Sequence, residues 1–71
     1  EIQVGAFTDH RNAKSLIEKL SEFKAYIKRE FVESKYLYRV RIGPIENINQ
    51  ANQIQEKLYS LGYTTSHLVM N

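Results

Sequence analysis

The sequence predicts a small α+β domain of βαββαβ order, with a four-stranded antiparallel sheet and two helices on one face. Three observations predict it. The chain is an internal repeat; within each copy the apolar spacing changes from strand-like alternation to a helical stripe; and the first strand of each copy ends at a glycine.

The repeat sets the frame. Placing Gln3 on Arg41 gives an offset of 38 residues that runs without a gap as far as Leu20 on Leu58. Gly5 then meets Gly43, Ala13 meets Ala51, Glu18 meets Glu56 and Lys19 meets Lys57. Conservative pairs lie between them: Val4 with Ile42, Asp9 with Asn47, and Leu16 with Ile54.

The elements follow in order. Ile2-Gln3-Val4 and Val40-Arg41-Ile42 alternate apolar and polar residues, as half-buried strands do. After each glycine comes a polar stretch suited to helix capping, with Thr8 and Asp9 in one copy and Asn47 and Asn49 in the other. Ala13, Leu16, Ile17 and Leu20 form one helical stripe, and Ala51, Ile54, Leu58 and Leu61 form another. Gly62 suits a helix stop. A second strand closes each unit, over 24–32 and 64–70, and Pro44 sits just past the third strand, where a missing N–H is tolerated. Two βαβ units in series make the ferredoxin-like arrangement. Right-handed crossovers put both helices on the same side and leave the other side of the sheet open.

Composition narrows the function classes. At 42% hydrophobic and 25% charged the chain is globular, and a membrane-spanning helix would need about 20 consecutive apolar residues, which it lacks. No signal peptide is present and the chain opens on a strand, so residues 1–71 read as a single domain cut from a longer protein. Cysteine is absent, which removes disulfides and thiolate metal sites. A net charge of +2 is too weak to argue for nucleic acid. The bases are nonetheless clustered: six lie between Lys24 and Arg41 against two acids, Glu30 and Glu33. Such a cluster either protects a sheet edge from aggregation or serves a ligand.

Alternation assigns the faces. Ile2, Val4, Val40 and Ile42 face the helices, so Gln3, Gly5, Phe7, Leu37, Arg39 and Arg41 point to the open side, with Phe7 equally able to curl back and cap the core. With 32–35 as the hairpin tip, Phe31 lies opposite Tyr36 and Ile27 opposite Val40. Ala25 and Ile27 then join the core, while Tyr26, Lys28 and Glu30 lie on the open face beside Arg41, Arg39 and Leu37. A one-residue slip would bury arginines against Ile27. The open face is therefore a polar and aromatic platform with a positive bias, on which truncating Gln3 or Arg39 opens no cavity. Arg39 and Arg41, side by side with no excess of carboxylates nearby, are its candidate ligand-binding groups.

The same residues carry a resemblance. Gln3-Val4-Gly5-Ala6-Phe7, Asn12-Ala13, Leu16 and Leu20 resemble the first half of a SPOR (sporulation-related repeat) domain. Tyr38-Arg39-Val40-Arg41-Ile42-Gly43-Pro44, followed by Ala51, Leu58 and Gly62-Tyr63, resembles the second. The resemblance implies a non-catalytic module that binds peptidoglycan glycan strands stripped of stem peptides, in the bacterial cell envelope and enriched at the division septum. It places function on the sheet face, at positions matching Gln3, Ala6, Leu37 and Arg39. Some members carry serine at the position of Ala6 and an aromatic ring at that of Leu37; Tyr26, across the hairpin, is the ring available here. With the open-face residues added, the expected glycan-binding set is Gln3, Gly5, Ala6, Phe7, Tyr26, Leu37, Arg39 and Arg41. Neither cofactor nor metal is implied, nor nucleic acid as a partner, and the isolated domain is expected to be monomeric.

Two other classes use the same surface. An RRM-like RNA-binding domain shares the element order and the open face, but needs aromatic residues on it from the third strand. In Tyr36-Leu37-Tyr38-Arg39-Val40-Arg41-Ile42 alternation turns the tyrosines toward the helices. A protein–protein module would expose the same residues as a glycan binder. For an enzyme, His10 in a loop and His67 on an edge strand offer neither metal-site spacing nor a nucleophile–base pair. Asp9-His10 reads as a helix cap with a surface residue, and Thr64-Thr65-Ser66 as edge strand.

Overall fold

A computed structural model describes residues 1–70. The elements run β1 (Ile2–Phe7), α1 (His10–Lys19), β2 (Ala25–Val32), β3 (Lys35–Ile42), α2 (Ile48–Ser60) and β4 (His67–Leu68). The sheet order is β2-β3-β1-β4, with every neighbouring pair antiparallel. This is the α+β ferredoxin-like βαββαβ arrangement that the repeat predicts.

The β2–β3 hairpin has the predicted register. Phe31 pairs with Tyr36, Ile27 with Val40 and Tyr26 with Arg41, and the ladder closes at Val32 and Lys35. The two-residue turn between them holds Glu33 and Ser34 at φ of 49° and 68°, as in a type I′ hairpin.

Both helices are capped as their sequences suggest. Asp9 accepts from the backbone N–H of Arg11 at the start of α1, and Asn47 from that of Gln50 at the start of α2. Thr8 and Asn49 are not the capping residues, and His10 opens α1 instead of lying in a loop. At the end of α2, Gly62 takes a φ of 98°, a left-handed conformation that glycine adopts without a Cβ penalty. There the N–H of Tyr63 donates to Leu58 and that of Gly62 to Tyr59, the two bonds of a Schellman motif.

That motif explains a departure from the predicted stripe. Leu61 is 52% exposed instead of buried, because it lies beyond the last full turn as the C-cap. The chain then reverses and returns Tyr63 to the core. The fully enclosed side chains are Ile2, Leu20, Val40, Ile42 and Leu58, with Val4, Ala13, Leu16 and Ala51 completing the cluster. Each aliphatic side chain of this size contributes about 1.5–3 kcal/mol through burial.

The fourth strand is also shorter than 64–70. Only His67 and Leu68 are strand, since the N–H of Ser66 turns back to the carbonyl of Tyr63. Thr64-Thr65-Ser66 is therefore part of a turn.

The core gives a direct stability test. Leu16→Ala and Leu58→Ala should each lower the unfolding free energy by about 2–5 kcal/mol. Leu61→Ala should change it by about 0.5 kcal/mol or less. Chemical denaturation of the three variants checks the contrast; a loss at Leu61 equal to that at Leu58 would show that the end of α2 is misassigned.

Candidate functional site

The helix-free face depends on an irregularity in β1. Gln3 pairs with Arg41, but Gly5 pairs with Val40 and Ala6 with Arg39. Val4 and Gly5 together thus oppose Val40, which makes a β-bulge. The extra residue resets the alternation, so Gln3 and Ala6 share the open face although they are three positions apart.

The same bulge corrects the face of Gly5, expected on the open side, and decides that of Phe7: both turn toward the helices, so Phe7 caps the core and leaves the expected glycan-binding set with Gly5. Phe7 packs against the core, and a Cβ on Gly5 would lie 3.1 Å from the Phe7 ring and 3.4 Å from Leu16. The remaining candidates, Gln3, Ala6, Tyr26, Leu37, Arg39 and Arg41, are brought together on the open face.

Cross-strand pairing orders them into rows. Tyr26, Arg41, Gln3 and His67 form one row across all four strands. Lys28, Arg39 and Ala6 form the next, and Glu30 with Leu37 a third. Alternate residues of a strand put neighbouring rows about 7 Å apart. Tyr26, Lys28, Ala6 and His67 are exposed, Leu37, Arg39 and Glu30 half-buried, and Gln3 and Arg41 buried.

The two arginines are not equivalent, and each has one carboxylate near it. Arg39 is half-buried and donates through Nε to Oε2 of Glu30 at 3.2 Å. Arg41 retains only 7% exposure. Its Nε donates to Oε1 of Gln3 at 3.3 Å, and its Nη1 lies 3.9 Å from Oε1 of Glu1. That Nη1 has no hydrogen-bond acceptor among the described residues. Tyr26 donates its hydroxyl to the same Glu1 oxygen. This bond raises the Tyr26 phenol above its ordinary range, because ionisation would set a phenolate against the carboxylate. Its contribution is present below the ordinary phenol range and is lost as pH rises through the raised value.

Arg41 is thus a framework group and Arg39 the arginine at the surface. Lys28 beside it makes no ion pair among the described residues, so the middle row keeps a positive bias. Sequence reasoning left Glu1 and His67 out of the site. Glu1 carries no signal before Arg41 is known to be buried, and the place of His67 needs the register of a two-residue strand.

The tyrosines of β3 lie on the helix side. Tyr38 packs against the His10 ring at 5.1 Å, and Tyr36 meets Phe31 edge-on at 5.1 Å with the Arg29 guanidinium 4.8 Å above it. Among the described residues, no cluster of three or more His, Cys, Asp or Glu side chains is placed to hold a metal ion. No helix among them is long and apolar enough to cross a membrane.

Comparison with known proteins agrees with this architecture. The family model of the SPOR domain matches residues 1–69. The crystal structure of the RlpA SPOR domain from Pseudomonas aeruginosa is similar to the chain with a TM-score of 0.91 and 29% sequence identity, covering 99% of this chain and 96% of that one. No curated protein sequence matches.

The unequal arginines change what truncation on this face should do. Gln3→Ala removes an acceptor from a buried guanidinium and should cost about 1–3 kcal/mol. Arg39→Ala breaks a half-exposed ion pair and should cost about 1 kcal/mol or less. Thermal and chemical denaturation of both variants tests the ranking, and the reverse order would mean that Arg39 is the framework residue.

Proposed function

Because the chain belongs to the SPOR domain family, we propose that it is a non-catalytic binding module for peptidoglycan glycan strands, and that its open sheet face takes strands stripped of their stem peptides. The observation that carries this reading is the middle row. Arg39 stands there beside Lys28 and the flat methyl surface of Ala6, with no helix above them.

The ligand chemistry fits that row. A stripped muramic acid ends its lactyl arm in a free carboxylate, whereas an intact one carries an amide and a peptide. Arginine pairs with carboxylates through parallel N–H groups. The contact of Arg39 with Glu30 is made through Nε, which leaves the terminal nitrogens as donors. Glu30 offsets part of the charge of Arg39, and Lys28 beside it keeps the row positive toward a carboxylate. Leu37 and the Tyr26 ring offer apolar surface to the C–H faces of sugars. A stem peptide would need room over the same flat row, so steric exclusion adds to charge attraction in the selectivity.

On this reading the domain works in the cell envelope, concentrated where amidases strip glycan at the septum. Any catalytic activity would belong to another part of a longer protein. The ligand is glycan and not nucleic acid, and the isolated domain acts as a monomer.

Co-sedimentation with purified sacculi tests the proposal. The domain should pellet with amidase-treated sacculi and less with untreated ones. Equal binding to both, or to neither, would overturn it, and tighter binding to single-stranded RNA would favour an RRM-like role. Arg39→Ala should weaken glycan binding about ten- to a hundredfold, the range for a hydrogen bond to a charged group. Arg39→Lys should recover only part of that, since lysine keeps the charge without the planar fork. Glycan whose lactyl carboxylates are converted to simple amides should bind less tightly than the free acid; equal affinity would leave selectivity to steric exclusion alone.

A further inference from the structure

We infer that Gln3 offers a ligand only its amide N–H groups, because Arg41 behind it fixes the amide, and that the group it takes is the carbonyl oxygen of a sugar N-acetyl substituent. This rests on the glycan reading above and adds which part of the sugar is read.

A glutamine amide can present either its oxygen or its nitrogen to a ligand. Here the choice is made from below. Arg41 is 7% exposed and donates Nε–H to Oε1 of Gln3. Turning the amide over would set an NH2 group against a guanidinium, donor to donor. Arg41 cannot absorb that loss, since its Nη1 already lacks an acceptor and meets Glu1 only at 3.9 Å. A buried charged donor left without a partner is disfavoured more than the bond itself is favourable. The oxygen of Gln3 is therefore committed inward, while its Nε2 has no hydrogen-bond partner among the described residues.

The uncommitted N–H groups of Gln3, a side chain with 9% exposure at the helix-free face, then select an acceptor. Carbohydrate hydroxyls accept weakly, whereas an acetamido carbonyl is a strong, directional acceptor. On a muramic acid the acetamido and lactyl arms leave adjacent ring carbons. Gln3 lies in the row next to that of Arg39, about 7 Å along the strand direction, a separation two such arms span. One sugar residue can thus place its carboxylate at Arg39 and its acetamido oxygen at Gln3. Arg41 is the positioning residue of this pair, and Gln3 determines specificity.

Gln3→Glu separates the two faces of the amide. It keeps an oxygen for Arg41, now charged, and removes the outward donor. The variant should melt at or above the wild-type temperature yet bind stripped glycan at least tenfold more weakly. De-N-acetylated glycan should bind wild type at least tenfold more weakly, and N-propionylation, which restores a neutral carbonyl, should recover it. The variant should instead prefer the de-N-acetylated amine. Arg41→Lys, which retains a donor for Oε1, should bind better than Arg41→Ala when compared at equal folded fraction. Wild-type affinity in a folded Gln3→Glu protein, or unchanged binding after de-N-acetylation, would overturn this inference while Arg39-dependent binding left the glycan reading intact. Failure of wild type to bind any form of the glycan would remove both.

Discussion

One bulge in the first strand decides what this protein can present on its open face. Val4 and Gly5 share the position opposite Val40, so the side chains before and after them fall out of simple alternation. Gln3 keeps the phase of the first turn of the strand, and Ala6 acquires it through the inserted residue. Without the insertion either Gln3 or Ala6 would be buried under the helices. The insertion favours a residue without a side chain, since a Cβ on Gly5 would stand 3.1 Å from the Phe7 ring and press it out of place. Core packing by Phe7, the glycine and the composition of the face are therefore one constraint.

Charge on the face is arranged in depth. The buried layer holds Arg41 between Gln3 and Glu1, with Tyr26 closing over the carboxylate. The outer layer holds Arg39 against Glu30, with Lys28 alongside. An arginine with 7% exposure is screened little by solvent, so its pairing fixes geometry; the outer pair is wetter and exchanges partners at lower cost. A net charge of +2 over the chain conveys none of this.

The parts of the molecule legible in the sequence are those set by local pattern. The repeat gave the order of elements, and the hairpin register followed from the conflict between Ile27 and the arginines. The bulge is not legible from alternation, which puts Gly5 on the wrong side and leaves Phe7 between two places. A signal for it did exist: the resemblance places function at both Gln3 and Ala6, and residues an odd number apart cannot share a face of a regular strand. Leu61 and the span 64–70 failed for a different reason. Apolar spacing does not say where a helix stops, and Gly62 ends α2 one residue after Leu61, so that Tyr63 takes the core position. The burial of Arg41 was hidden because it depends on Glu1 and Tyr26, brought together only by the tertiary fold.

The hairpin turn at Glu33 and Ser34 has a kinetic consequence. It lets β2 and β3 zip through contacts between near neighbours, whereas β1 pairs with β4 at Ile2 and Leu68 only after almost the whole chain is in place. Loop-closure entropy sets the order of such events, with the local ladder first and the chain ends last. The row Tyr26, Arg41, Gln3 and His67 is divided between the two: half belongs to the earliest ladder and half to the latest. A ligand lying across that row touches both ladders at once, and by mass action it stabilises the state in which they are joined.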